Sequence, residues 1–243
     1  MKGVILAGGL GSRLFPLTKV TNKHLLPIYN KPMIYYPIQI LADAGIKEIM
    51  IVTGGTSPGD FMRLIGNGNE FGLDQVSYAY QEGEGGIAAA LSLAEHFCGN
   101  DKFAVVLGDN IIEGTIKPFV DKFLKQKSGA KILLKKVPDP ERFGVCVFNK
   151  DKVVCIDEKP KAPKSSYAVI GIYMYDNYVF EIIKWLKPSE RGELEITDVN
   201  NAYIAKGAMT YNVFSGWWTD AGTFDSLVRA TNLVAEEASR SRG

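Results

Sequence analysis

Along the first half of the chain, short apolar runs alternate with longer amphipathic stretches, a pattern that predicts strands joined by crossover helices. Val4 to Ala7, Glu48 to Thr53, Val76 to Tyr80 and Phe103 to Leu107 read as strands. Met33 to Ala44, Pro58 to Ile65 and Gly86 to Phe97 read as the helices between them. The run Phe103-Ala-Val-Val-Leu107 has no polar position, which suits a strand buried on both faces, as parallel strands are. The expected fold is therefore α/β: a Rossmann-like, mixed but mainly parallel sheet flanked by helices, with ligands at the carboxyl ends of its strands.

After about residue 128 the texture becomes β-rich, with runs at Ala130 to Lys136, Phe143 to Phe148, Lys152 to Ile156 and Tyr167 to Tyr175. Helices near Asn177 to Leu186 and Ile196 to Lys206, a strand near Met209 to Phe214 and a closing helix from about Thr223 complete the pattern. No Ser/Gly-rich linker, repeat or low-complexity stretch divides it, so residues 1–243 read as one domain. Its halves are a nucleotide-binding 1–128 and a β-rich 129–243 for a second substrate. The tail from Glu236 to Gly243 lacks an apolar anchor and is expected to fray.

Composition narrows the chemistry. At 46% hydrophobic and 23% charged, with a net charge of +1, the chain is an ordinary globular one and not a polyanion binder, so no nucleic-acid partner is expected. No run approaches the length of a membrane span, and Cys98, Cys146 and Cys155 are too scattered for a disulfide framework, so the expected compartment is the cytoplasm. Two histidines, His24 and His96, leave little material for a zinc enzyme or a histidine-based triad, and both read as structural.

Charge is local instead. No carboxylate precedes Asp43, whereas Lys2, Arg13, Lys19, Lys23 and Lys31 are all basic. The first strand runs into Gly8-Gly-Leu-Gly-Ser-Arg13, where glycines let backbone N–H groups approach a phosphate and Arg13 adds a forked cation. The loop lacks the Gly-Lys-Ser/Thr ending of a P-loop, and Leu14 stands where a dinucleotide fingerprint needs its third glycine. A tight turn of no chemical consequence explains the glycines equally well when they are taken alone.

The stretch Leu6-Ala-Gly-Gly-Leu-Gly-Ser-Arg-Leu14, followed by Pro16-Leu-Thr18 and Asn22-Lys-His-Leu-Leu-Pro27, resembles the signature of the sugar nucleotidylyltransferases. The likeness continues through Lys31-Pro-Met-Ile-Tyr-Tyr-Pro37, Leu107-Gly-Asp-Asn110, Asp139-Pro-Glu-Arg-Phe-Gly144, Glu158-Lys-Pro160, Arg191-Gly-Glu-Leu-Glu-Ile-Thr-Asp198 and Trp218-Thr-Asp-Ala-Gly222. Within that family it is nearest to the glucose-1-phosphate thymidylyltransferases, with His24 in place of the usual glutamine and Phe15 in place of a frequent tyrosine.

The resemblance implies transfer of a nucleotidyl group from a nucleoside triphosphate, dTTP in the first instance, to glucose 1-phosphate. Arg13, Lys23 and Asp109 are the implied catalytic residues. Leu6, Gly8, Gly9, Gly11, Ser12, Arg13, Gln81, Gly86 and Asp109 would hold the nucleotide, and the Gln81 amide suits the imide edge of thymine or uracil. Gly144, Glu158, Lys159, Tyr173, Arg191 and Glu193 would hold the sugar phosphate. The pair Asp109 and Asp220 would bind Mg²⁺, although each alone is as readily a turn or helix-capping aspartate. The family also implies a homo-oligomer, usually a tetramer. Longer members continue into a segment that helps to form a regulatory site, so feedback inhibition is not expected here. A uridylyltransferase, another hexose-1-phosphate enzyme and a silent sugar-nucleotide-binding subunit stay open as alternatives.

Overall fold

The computed structural model describes residues 1–55 and 57–240. Its first half contains β1 (Lys2–Ala7), β2 (Pro27–Ile28), β3 (Lys31–Pro32), α1 (Tyr35–Asp43), β4 (Glu48–Gly54), α2 (Pro58–Ile65), β5 (Gln75–Gln81), α3 (Ile87–Ser92), α4 (Glu95–Cys98), β6 (Phe103–Leu107), β7 (Asn110–Ile112) and α5 (Lys117–Leu124). There follow β8 (Ala130–Lys136), β9 (Gly144–Asn149), β10 (Lys152–Glu158), β11 (Tyr167–Tyr175), α6 (Tyr178–Trp185), α7 (Ile196–Ala205), β12 (Met209–Val213), β13 (Trp218–Asp220) and α8 (Phe224–Arg240).

One nine-stranded mixed sheet runs through both halves. Its nucleotide side is parallel: β1 lies between β4 and β6, and β4 carries β5 as the edge. The second half turns antiparallel at β11, which pairs with β6 on one side and β8 on the other, while the β9–β10 hairpin joins at Ala168. β12 then adds to β8 in parallel. The expected α/β architecture is thus present, with the parallel strands gathered in the first half.

The apolar runs are explained by burial on both faces. In β1, Val4 and Leu6 face one core, which also holds Val105, Tyr173 and Val199; Ile5 and Ala7 face another, with Ile38, Ile51 and Ala104. A strand sandwiched in this way has no use for polar alternation. Cys98 and Cys146 are buried and Cys155 is half-buried, all three as free thiols. No helix among the described residues is long and apolar enough to cross a membrane.

Three local expectations are corrected. The helix expected from Gly86 to Phe97 is two, because the backbone tightens at Leu93 and Ala94, whose N–H groups donate to Ala90 and Leu91 three residues back. The short helix α5 and the strands β7 and β13 were not expected at all. The fraying tail is helical through Arg240: Ala230, Leu227 and Val234 of α8 pack on Ile28, Met33 and Ile111, which anchors the helix before its polar end. Residues 241–243 of that tail lie outside the described residues.

Candidate active site

The carboxyl ends of β1, β5 and β6 open on one side of the sheet into a cleft of about 660 Å³. Of the residues expected at a site, Leu6, Gly8, Gly9, Arg13, Lys23, Gln81, Gly86, Asp109, Gly144, Glu158, Lys159, Tyr173, Arg191, Glu193 and Asp220 all line it. Gly11 and Ser12 do not. Gly11 serves the loop from behind: its φ of 68° is left-handed, and a Cβ there would come within 2.9 Å of both Lys23 Cβ and Thr18 Cγ2.

Lys23 is placed by a chain of local contacts. Asn22 Nδ2 donates to Ala7 O at the end of β1 (3.3 Å), and Asn22 Oδ1 accepts from His24 N (2.9 Å) and faces His24 Nδ1 (2.7 Å). This closes a single turn, Lys23–Leu25, that aims the lysine into the cleft. There Lys23 Nζ donates to Asp109 Oδ2 at 2.5 Å, both side chains being largely buried. Burial would push the Asp109 carboxyl up, but Lys23, with His24 and Arg13 adding, draws it down to about 2. It is held as a carboxylate at any working pH.

His24 itself is 2% exposed, and its ring lies on Gly108, where a Cβ would come within 2.6 Å of His24 Cδ2. Burial and the Lys23 charge lower its pKa from 6.5 to about 3. The unfolded chain takes up a proton below 6.5 and the folded one only near 3, so this contribution to stability is complete above 6.5 and lost as pH falls through that interval. Between pH 7 and pH 5 the loss is about 2 kcal/mol. In His24→Gln the chemical-denaturation midpoint should therefore fall less over that range than in the wild-type protein; an equal fall would place the acid sensitivity elsewhere.

Asp109 and Asp220, far apart in sequence, meet because β13 pairs antiparallel with β7 in the register Asp220↔Asn110. Asn110 is the hub of this junction. Its Oδ1 accepts from Gly171 N of β11 (3.1 Å) and Trp218 Nε1 (2.6 Å), and its Nδ2 donates to Asp109 Oδ1 (3.2 Å). The Ala221 N–H closes the turn on Asp109 O (2.9 Å). At Gly222 the two acids and Arg13 converge: a Cβ there would lie 2.9 Å from Arg13 Nη2, 3.3 Å from Asp220 Oδ2 and 3.5 Å from Asp109 Oδ2. Burial and the Asp109 charge push the Asp220 carboxyl up, against the pull of Arg142, Arg13 and Arg229.

A hard divalent cation fits this donor set. Both carboxylates present Oδ2 to one gap, and among the described residues no hydrogen bond from the protein reaches Asp220 Oδ2, which leaves that oxygen open to a cation. No group of three or more His, Cys, Asp or Glu side chains able to hold a metal occurs among the described residues, so water and substrate oxygens would complete the shell.

Gln81 sits at the end of β5 against the loop of residues 8–13: a Cβ on Gly8 would come within 2.6 Å of its Oε1, while its Nε2 donates to Gly86 O (3.3 Å). Gly86 has a φ of 88° and lies so close to the opposite wall that a Cβ would come within 2.6 Å of Leu194 O. Leu194 N donates to Gly85 O (2.9 Å) and Ala88 N to Leu194 O (3.1 Å), which straps the two sides of the cleft together.

On the opposite wall Glu158 ends β10, and its Oε2 accepts from Thr197 Oγ1 at 2.5 Å. Lys159 Nζ stands 3.5 Å from Glu158 Oε1 and carries a left-handed φ of 44°, a conformation costly for a lysine and held here by its N–H on Phe143 O. Arg191 pairs with Glu195 at 2.8 Å, with Glu193 and Glu158 at 3.7 and 3.9 Å. Tyr173 of β11 lies at the floor, 4% exposed; burial, with Glu158 and Asp109, pushes its phenol up, so it serves as a neutral hydroxyl. Arg142, Asn110, Thr197, Glu195 and Trp218 line the same cleft without having been expected as site residues. All five fall inside the quoted motifs, which is the one sequence signal that marks them.

The sequence profile of the nucleotidyl transferase family matches residues 2–237. A glucose-1-phosphate thymidylyltransferase of Neisseria meningitidis serogroup A is 46% identical over 238 residues, 96% of this chain and 82% of that one. A crystal structure from Bacillus anthracis assigned as a glucose-1-phosphate thymidylyltransferase, in complex with sucrose, superposes with a TM-score of 0.92 at 58% identity, covering 96% of this chain and 94% of the other. A UDP-glucose pyrophosphorylase complexed with UDP-glucose shares the fold at a TM-score of 0.85 and 25% identity, over 97% and 98% of the two chains.

Proposed function

The chain belongs to the nucleotidyl transferase family, and from that premise we propose that it transfers a thymidylyl group from dTTP to glucose 1-phosphate, giving dTDP-glucose and pyrophosphate. The observation that carries this reading is the convergence of Arg13, Lys23, Asp109 and Asp220 on one gap, with a second cationic pair, Lys159 and Arg191, on the facing wall. The cleft is shaped for two phosphorylated partners.

In the reaction a phosphate oxygen of glucose 1-phosphate attacks the α-phosphorus in line; the bond it forms replaces the bridge to the β-phosphate, and pyrophosphate leaves. No covalent intermediate with the protein is needed, so its task is placement and charge. Gln81 and the Gly85–Gly86 backbone hold the base. Gly8, Gly9 and Arg13 take the triphosphate, and Lys23, kept in place by Asp109, meets the charge that builds on the α-phosphoryl oxygens. Glu158, oriented by Thr197, accepts from sugar hydroxyls, as does the strap bearing Glu193; Tyr173 offers its hydroxyl from the floor. Lys159 and Arg191 draw the sugar phosphate toward the gap, Arg191 by exchanging its glutamate partners for phosphate.

Asp109 and Asp220 are the residues that would hold a divalent metal, Mg²⁺ on this reading. When bound, it supplies neutralisation of the triphosphate and of the departing pyrophosphate.

A split of kinetic constants tests the division of the cleft. Lys159→Ala should raise the KM for glucose 1-phosphate about tenfold while changing the KM for dTTP less than about twofold. Equal rises in both would mean that the two walls do not serve separate substrates.

A further inference from the structure

The two oxygens of Asp220 are treated differently. Oδ2 faces the gap at Gly222, toward Asp109 and Arg13. Oδ1 is buried without a hydrogen-bond donor, yet two guanidinium groups stand behind it, Arg142 Nη2 at 3.7 Å and Arg229 Nη2 at 4.0 Å. Each arginine is fixed by contacts of its own. Arg142 Nη1 donates to Asp139 Oδ2 at 2.7 Å, and its guanidinium lies over the Phe143 ring, 5.2 Å from the centroid. Phe143 in turn meets Trp218 edge to face at 5.1 Å, two residues before Asp220 on β13. Arg229 reaches in from α8, with Nε donating to Thr219 Oγ1 at 3.2 Å.

We propose that Arg142 and Arg229 are positioning residues that clamp the Asp220 carboxylate from behind, so that Oδ2 is presented to the metal gap. The clamp rests on the reading in which Asp109 and Asp220 share a divalent cation. Its physical basis is the cost of a buried carboxylate oxygen that has no hydrogen bond. Two cations at about 4 Å offset that cost only while the carboxylate keeps its present orientation. With Arg142 gone, Oδ1 keeps only Arg229 behind it, the carboxylate turns toward that one cation, and Oδ2 is no longer held in the gap. Arg142 is the stronger member, since Asp139 and Phe143 pin it from two directions, while Arg229 is held through one hydrogen bond.

The sign of the effect separates a clamp from a simple field. Taking a cation away from a cation site strengthens metal binding if only the field matters; it weakens binding if the cation holds a ligand in place. Titration of Mn²⁺ alone into the metal-free full-length chain, followed by the EPR signal of free Mn²⁺, reads this without turnover. Arg142→Ala should weaken Mn²⁺ binding about tenfold and Arg229→Ala less, with thermal unfolding within a few degrees of wild type. At saturating Mg²⁺ the KM values for dTTP and glucose 1-phosphate should stay within about twofold. Unchanged or tighter Mn²⁺ binding in both variants overturns the clamp. A raised KM for glucose 1-phosphate with unaltered Mn²⁺ binding overturns it too, making Arg142 a substrate ligand. Wild-type protein that binds no Mn²⁺, either alone or with a non-hydrolysable dTTP analogue supplying the phosphate oxygens, would remove the metal site itself, and the clamp with it.

Discussion

Asp109→Asn is expected to lower kcat about a thousandfold at saturating Mg²⁺, roughly 4 kcal/mol of transition-state stabilisation. The carboxylate has two partners that define its work: Lys23 at 2.5 Å on Oδ2 and Asn110 at 3.2 Å on Oδ1. An asparagine keeps the shape and leaves Lys23 a neutral acceptor, and losing the charge of this largely buried pair should cost the folded state about 2–3 kcal/mol. What it removes is the charge that holds the lysine in place and half of the acidic pair at Gly222. Turnover measured alongside thermal denaturation separates these effects. A variant that unfolds at the wild-type temperature and turns over at the wild-type rate would take Asp109 out of the chemistry.

Gly222→Ala probes the same gap by volume instead of charge, and a loss of about a hundredfold in kcat/KM is expected. The backbone at Gly222 does not require a left-handed φ, so the substitution carries no conformational penalty of its own. Its methyl group would sit 2.9 Å from Arg13 Nη2 and 3.3 Å from Asp220 Oδ2. Arg13 is the flexible neighbour and would be displaced. Stability should change by less than about 1 kcal/mol, because the gap is open to the cleft. Wild-type kcat/KM in this variant would show that the space between the two acids is not where the reacting phosphates lie.

Much of the scaffold was legible in sequence because β1, β4, β6 and β11 are continuous apolar runs, and only a strand buried on both faces tolerates that composition. The loop of residues 8–13 was legible because its glycines follow such a strand and every charged residue before Asp43 is basic. The pairing of β7 with β13 was not, since strands of three residues carry too few positions to show a period. Yet that pairing alone turns Asp220 from a turn residue into the neighbour of Asp109. The helix α5 was hidden for a related reason: in eight residues only Val120 and Phe123 are buried, too few to show a repeat. Residues that act through another group left no mark of their own. Thr197, which orients Glu158, and Asn110, which ties three strands to Asp109, look like ordinary polar positions until the fold brings their partners within 3.3 Å. Arg229 is likewise one of several charges on a largely polar helix until α8 docks beside β13.

On the proposed reading, this cleft transfers the thymidylyl group of dTTP to glucose 1-phosphate. Pyrophosphate release is the most direct measure of that transfer, followed for the purified protein with Mg²⁺, offering dTTP or UTP against glucose 1-phosphate and two other hexose 1-phosphates. Release fastest with dTTP and glucose 1-phosphate, and absent when either substrate or Mg²⁺ is left out, is the predicted result. Folded protein that releases no pyrophosphate with any pair would contradict it, and faster release with UTP or another hexose would transfer the site to a different nucleotide or sugar.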